Sequence, residues 1–69
     1  MKDRKYEINC MGDYFTATYF ENYGSGWKQL FQPEWYDFEG LKLDFCDILS
    51  ESDFEKMRTN AITKLIYEF

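Results

Sequence analysis

This 69-residue chain predicts an α+β domain, with a small antiparallel sheet of two to four strands as an N-terminal meander and a C-terminal helix packed on it. Three features point there. Apolar–polar alternation, broken by glycine turns, runs through residues 4–32; capping residues and acids gather around Ser50; and an apolar stripe at helical spacing runs from Phe54 to Phe69. Residues 1–69 make one domain, because no linker, repeat or low-complexity tract divides them. A chain of this size buries only about 60% of its unfolded surface.

Taken in order, Lys5-Tyr6-Glu7-Ile8-Asn9-Cys10 alternates, with Tyr6, Ile8 and Cys10 on one face and Lys5, Glu7 and Asn9 on the other. Met11-Gly12-Asp13 supplies a turn, since Gly12 tolerates positive φ. Residues 14–20 are rich in aromatics and threonine, which suit a pleated surface. Asn22-Tyr23-Gly24-Ser25-Gly26 reads as a loop, and residues 27–32 resume the alternation until Pro33 stops it or marks an edge.

Residues 34–49 fit two patterns. Leu41-Lys42-Leu43-Asp44-Phe45 alternates like a strand, yet Phe38, Leu41, Phe45, Ile48 and Leu49 also fall at helical spacing, and Gly40 breaks the segment. A loop followed by a strand or a short helix is expected. In the tail, Ser50 and Ser52 are candidate N-caps, and Glu51, Asp53 and Glu55 suit the positive end of a helix dipole. Phe54, Met57, Ala61, Ile62, Leu65 and Phe69 trace the apolar stripe, with Lys56, Arg58 and Lys64 after the acids. A C-terminal helix is the expectation; a short helix ending near Asn60, followed by a strand over residues 62–69, is the alternative.

Composition narrows the function. Histidine is absent, which removes His-based acid–base catalysis, Ser-His and Cys-His nucleophile pairs, and the commonest transition-metal ligand. Cys10 and Cys46 offer neither a zinc site nor a C-x-x-C pair; free, largely buried thiols are the expectation and a single disulfide between them the alternative. Asp44 and Asp47 lack the loop that a calcium site needs, and the 22–26 loop lacks the Gly-Lys-Ser/Thr ending of a phosphate cradle. No apolar run reaches membrane-spanning length and residues 1–10 hold no signal-peptide core, so the expectation is a cytoplasmic non-enzyme without cofactor or metal.

Charge placement is more informative than its total of −5. Residues 1–33 are neutral and residues 56–69 carry +2. Residues 34–55 hold Glu34, Asp37, Glu39, Asp44, Asp47, Glu51, Asp53 and Glu55 against Lys42 alone, interleaved with Trp35, Tyr36, Phe38, Phe45 and Phe54. One reading is a solvated acidic face with its aromatics turned inward. The other is a surface in which carboxylates stand in for phosphates and rings enter a pocket made for bases. With no basic stripe, the chain itself is not expected to bind nucleic acid.

Residues 14–32, followed by Gly40-Leu41-Lys42-Leu43-Asp44-Phe45, resemble the small uracil-DNA glycosylase inhibitors of phi29-like phages. That family is an acidic β-sheet-and-helix dimer that mimics DNA and occupies the enzyme's DNA-binding groove. Its Gly-Leu-x-Leu-x-Asp-Phe-Glu-like run supplies an enzyme-contacting Phe and Glu. One placement puts the Phe on Phe45, followed here by Cys46 rather than Glu; another puts Ser-Asp-Phe-Glu on Ser52-Asp53-Phe54-Glu55.

The resulting expectation is a phage- or mobile-element-type inhibitor of a host enzyme with a basic nucleic-acid groove. Candidate targets are uracil-DNA glycosylase, a CRISPR effector, a restriction enzyme or RNA polymerase. The eight acids of residues 34–55 act as phosphate surrogates, and Trp35, Phe38, Phe45 or Phe54 as apolar anchors. The alternative is a protein–protein adaptor or homodimer that uses an aromatic sheet face, its acids serving only solubility. With aromatics at 22% of the chain, some rings are expected to face solvent or a partner.

Overall fold

Arg4–Cys10 (β1) and Phe15–Asn22 (β2) form the antiparallel hairpin at the centre of the sheet, in a computed structural model that describes residues 2–69. Gly12 turns the chain between them at φ +91°, and the Met11 N–H donates to the Tyr14 carbonyl at 2.8 Å. The register sets Tyr6 opposite Tyr19, Ile8 opposite Ala17 and Cys10 opposite Phe15, so the odd residues of β2 share one face with the even residues of β1.

Trp27–Gln29 (β3) and Glu34–Tyr36 (β4) both pair with the outer edge of β2, at Phe20–Asn22 and at Phe15–Ala17 respectively. They are one strand interrupted by a bulge. Between the Phe20–Gln29 and Ala17–Glu34 pairs, β2 spans two residues while the outer chain spans four, ending in Pro33. Counted as separate elements, these bring the sheet to five strands against the two to four that the sequence suggested, because the stretch after Pro33 pairs again as β4 and the C-terminal segment adds a strand of its own.

Phe38–Phe45 (α1) is a helix, which resolves the ambiguity of that segment. Asp37 caps it, its carboxylate accepting from the Gly40 N–H at 2.7 Å. Gly40 does not break the helix. A Cβ there would lie 2.9 Å from Asp37 Oδ1, so glycine leaves room for the cap. Glu51–Arg58 (α2) starts with a capping box: Ser50 Oγ accepts from the Asp53 N–H and Asp53 Oδ2 accepts from the Ser50 N–H, both at 3.1 Å.

The expected C-terminal helix ends early. Asn60 sits at φ +59°, a left-handed conformation that asparagine tolerates; its N–H donates to the Met57 carbonyl and that of Ala61 to Lys56. These two bonds close a Schellman motif. The chain then reverses into Lys64–Glu68 (β5), which pairs antiparallel with β1 and sets Leu65 against Ile8 and Tyr67 against Tyr6. The apolar stripe beyond Met57 therefore serves a strand. A two-residue period fits Leu65, Tyr67 and Phe69 as well as the helical one, and β-branched Ile62 and Ile66 favour the extended form.

Ile8, Phe15 and Ala17 from the sheet meet Leu41, Phe45 and Leu49 from α1 and its following turn, and Phe54 and Met57 from α2. Both helices consequently cover one face of the sheet and leave the other open. Both cysteines are free; Cys10 is half-buried, while Cys46 is exposed rather than buried because it lies just past the end of α1.

Candidate functional site

Residues 34–55 build β4, α1 and α2, so the acidic segment lies largely in the helical layer. Its eight acids divide by the work they already do. Asp37 and Asp53 accept from backbone N–H groups at the helix starts. Glu51 lies 3.9 Å from Lys42. Glu55 is held by the Arg58 guanidinium, which keeps its carboxyl below the usual range. The other four, Glu34, Glu39, Asp44 and Asp47, form no ion pair among the described residues.

The proposed anchors separate in the same way. Phe45 and Phe54 are 4% and 2% exposed and belong to the core, so neither meets a partner as the sequence suggested. Their i, i+4 and i, i+3 relations to Leu41 and Met57 put them on the buried stripes of their helices. Both placements of the inhibitor motif therefore land on a core phenylalanine. Phe38 is half-buried and packs edge-on against Phe54, with ring centroids 6.4 Å apart. Trp35 is exposed but faces the side of the sheet away from the helices, stacked on Tyr14 at 4.3 Å.

The structure brings Glu34 and Asp44 together at a cleft of about 390 Å³ on the helical side, between the sheet, the 30–33 bulge and the C-terminal half of α1. Its walls are the rings of Tyr6, Tyr19, Phe31 and Phe45, with Ala17 and Ile48. Phe31 stands at the lip, 65% exposed and stacked over Tyr19 at 6.1 Å. The bulge is what lifts it there. The Tyr36 phenol donates to Glu34 Oε2 at 2.8 Å. Burial, the hydrogen bond to Glu34 and the neighbouring Asp44 together hold this phenol well above its ordinary range. The phenolic proton thus goes to Glu34, with Asp44 close by, and neither carboxylate has a basic partner among the described residues. The arrangement is suited to a cation: aromatic faces for its apolar or π-facing side and carboxylates for its charge.

Along α1, Leu43 is 78% exposed, with Glu39 one turn before it and Asp47 four residues after it. Leu43 and Phe31 are the apolar groups that sequence reasoning missed. Leu43 was legible as the one apolar residue of 38–45 lying off the Phe38–Leu41–Phe45 stripe, whereas nothing in the sequence fixed where Phe31 would point.

The chain matches no protein-family model, no curated protein and no solved structure. Among the described residues, no helix is long and apolar enough to cross a membrane, and no group of three or more acidic or cysteine side chains is placed to hold a metal ion.

Proposed function

We propose that this protein is a binding protein rather than a catalyst, and that it blocks the basic nucleic-acid-binding surface of a DNA- or RNA-processing enzyme. The carrying observation is the set of four carboxylates without a basic partner among the described residues: Glu34 and Asp44 line the aromatic cleft, Glu39 precedes exposed Leu43 by one turn of α1, and Asp47 lies in the turn after that helix. In this reading the cleft receives a lysine or arginine side chain of the enzyme. Phe31 and Leu43 supply the apolar contact, and the acids meet cations that otherwise hold phosphates. Opposite charge speeds the encounter and makes it sensitive to salt. The resemblance to the small uracil-DNA glycosylase inhibitors supports the class of target, though not through Phe45 or Phe54.

The test is a Glu34→Gln/Glu39→Gln/Asp44→Asn/Asp47→Asn variant, which spares both capping aspartates. It should keep the parent circular dichroism and lose capture of basic nucleic-acid enzymes on an immobilised column. Undiminished capture by the folded variant would refute the proposal. A second reading, a protein–protein module using the open sheet face, is supported by exposed Trp35, Trp27 and Ile66 there. Raising salt from about 0.05 to 0.5 M separates the two, because screening weakens the acidic contact and leaves aromatic burial nearly unchanged.

A further inference from the structure

Along the helical face of β2 the order is ring, alanine, ring: Phe15, Ala17, Tyr19. The small residue leaves a hollow, and the cleft lies over it. Across the ladder from Ala17 is Glu34, a carboxylate on the side of the sheet that otherwise carries the core. Asp44 reaches the same hollow from the last turn of α1. Sheet and helix thus each bring one carboxylate to a space lined by aromatic rings.

Elsewhere the chain supplies its own cations to its rings. Arg4 lies over Phe69 at 4.7 Å, Lys5 over Trp27 at 4.6 Å and Lys42 over Phe38 at 5.6 Å. At the cleft it does not. Among the described residues, no lysine or arginine lines the cleft, and none stands over Tyr6, Tyr19, Phe31, Tyr36 or Phe45. Arg4, which shares the helical face, lies 3.8 Å from Asp3 as well as over Phe69. An acid pair and a ring cluster that lack a cation in the same place point to one brought from outside.

The acceptors select among cations. Tyr36 donates to Glu34 Oε2 at 2.8 Å, which occupies that oxygen and holds the carboxylate in place. Glu34 Oε1 and the Asp44 carboxylate are left, on different elements. A guanidinium carries five N–H donors in one plane, enough to meet two acceptors from two sides. It also lays a flat face on a ring and is more weakly hydrated than an ammonium. A lysine would have to shed a tightly held water shell at the mouth of an aromatic hollow.

We propose that the cleft is a guanidinium site filled by an arginine of the target enzyme, its head bridging Glu34 and Asp44, its stem along Ala17 and Ile48, and Phe31 closing over it. This rests on the function proposed above and narrows it, since that function asks only for a lysine or an arginine.

Amide NMR of the isotope-labelled protein tests the site without the enzyme. Nα-acetyl-arginine methylamide should shift the amides of Phe31, Glu34 and Asp44 saturably, and bind about fivefold or more tighter than the matching lysine probe. The citrulline probe, which keeps the shape of arginine without the charge, should not saturate. Glu34→Gln and Asp44→Asn should each weaken the arginine probe about fivefold, while Glu39→Gln/Asp47→Asn, which removes two charges outside the cleft, should leave it within about twofold. The same spectra show whether each variant is folded. Equal affinity for arginine and lysine probes, saturation by citrulline, or shifts centred elsewhere would overturn the guanidinium site. On the capture column, Glu34→Gln/Asp44→Asn should by itself cut retention of the enzyme; full retention would remove the enzyme's arginine as the occupant. Loss of capture by the four-acid variant, with no arginine preference in the cleft, would strike this inference and leave the proposed function standing. Arginine preference in a protein that captures no basic enzyme would strike the proposed function and the enzyme as source, leaving the guanidinium site.

Discussion

Truncating Phe54 distinguishes a core phenylalanine from a partner-contacting one. Its ring is 2% exposed and packs edge-on against Phe38 in the layer between helices and sheet. Phe→Ala at such a site costs about 3–5 kcal/mol, the lost transfer energy plus the cavity left behind. At roughly 0.05–0.15 kcal/mol per residue, a 69-residue domain has only about 3–10 kcal/mol in total. Phe54→Ala should therefore remove most of the stability. With a urea slope near 1 kcal/mol per molar, typical of small domains, the midpoint should fall by about 3 M or more. Leu43→Ala, at a side chain 78% exposed, is the matched control and should shift stability by no more than about 0.5 kcal/mol while weakening partner capture. Urea melts followed by circular dichroism give both values. A folded Phe54→Ala protein with its midpoint within about 0.5 M of the parent would refute the packing argument, and with it the removal of Phe54 from the interface.

Ser50→Ala breaks the capping box of α2 and should cost about 1 kcal/mol in the same melts, within the usual range of 0.5–2. Glu7, bonded to Lys5 at 3.0 Å and Lys64 at 3.3 Å, has its carboxyl lowered below 4.5 chiefly by the Lys5 bond; its contribution is present above that value and is lost as pH falls through the folded-state pKa, so Glu7→Gln should flatten the acid limb of a stability–pH curve. Tyr36 runs the other way: its phenol is raised above 10.0, so its contribution is complete below that pH and fades as pH climbs, and Tyr36→Phe should make the alkaline limb less steep. Exposed Cys46 should react with a thiol reagent well before Cys10, whose thiol is half-buried and pushed up by desolvation; equal rates would contradict the assigned burial.

Strand β1, the hairpin to β2 and the start of α2 were legible because each rests on local chemistry: alternation around Ile8, a glycine turn at Gly12, and a serine followed three residues later by Asp53. The end of α2 was harder. The stripe Leu65–Phe69 satisfies two periods at once, and the choice fell to β1, whose free edge offers Leu65 and Tyr67 a ladder that a helix extension does not. Gly40 misled for a related reason, since its role in making room for Asp37 is visible only once the cap is formed. At the site, the sequence singled out the acidic segment but could not sort its members. Asp37 and Asp53 look like Asp44 and Asp47 until the helix starts are placed, and the meeting of Glu34 with Asp44 depends on the bulge after β3.

Strand β1 lies inside the sheet, yet its neighbour β5 comes from the far side of both helices in the chain order. A nascent polypeptide that has emerged only as far as α2 therefore carries Tyr6 and Ile8 beside an unsatisfied ladder. Folding must wait for residues 64–68 to return to residues 5–9 across more than fifty residues, so intermediates formed before that pairing should be sticky, and deleting residues 64–68 should harm yield although only every second side chain it removes is half-buried.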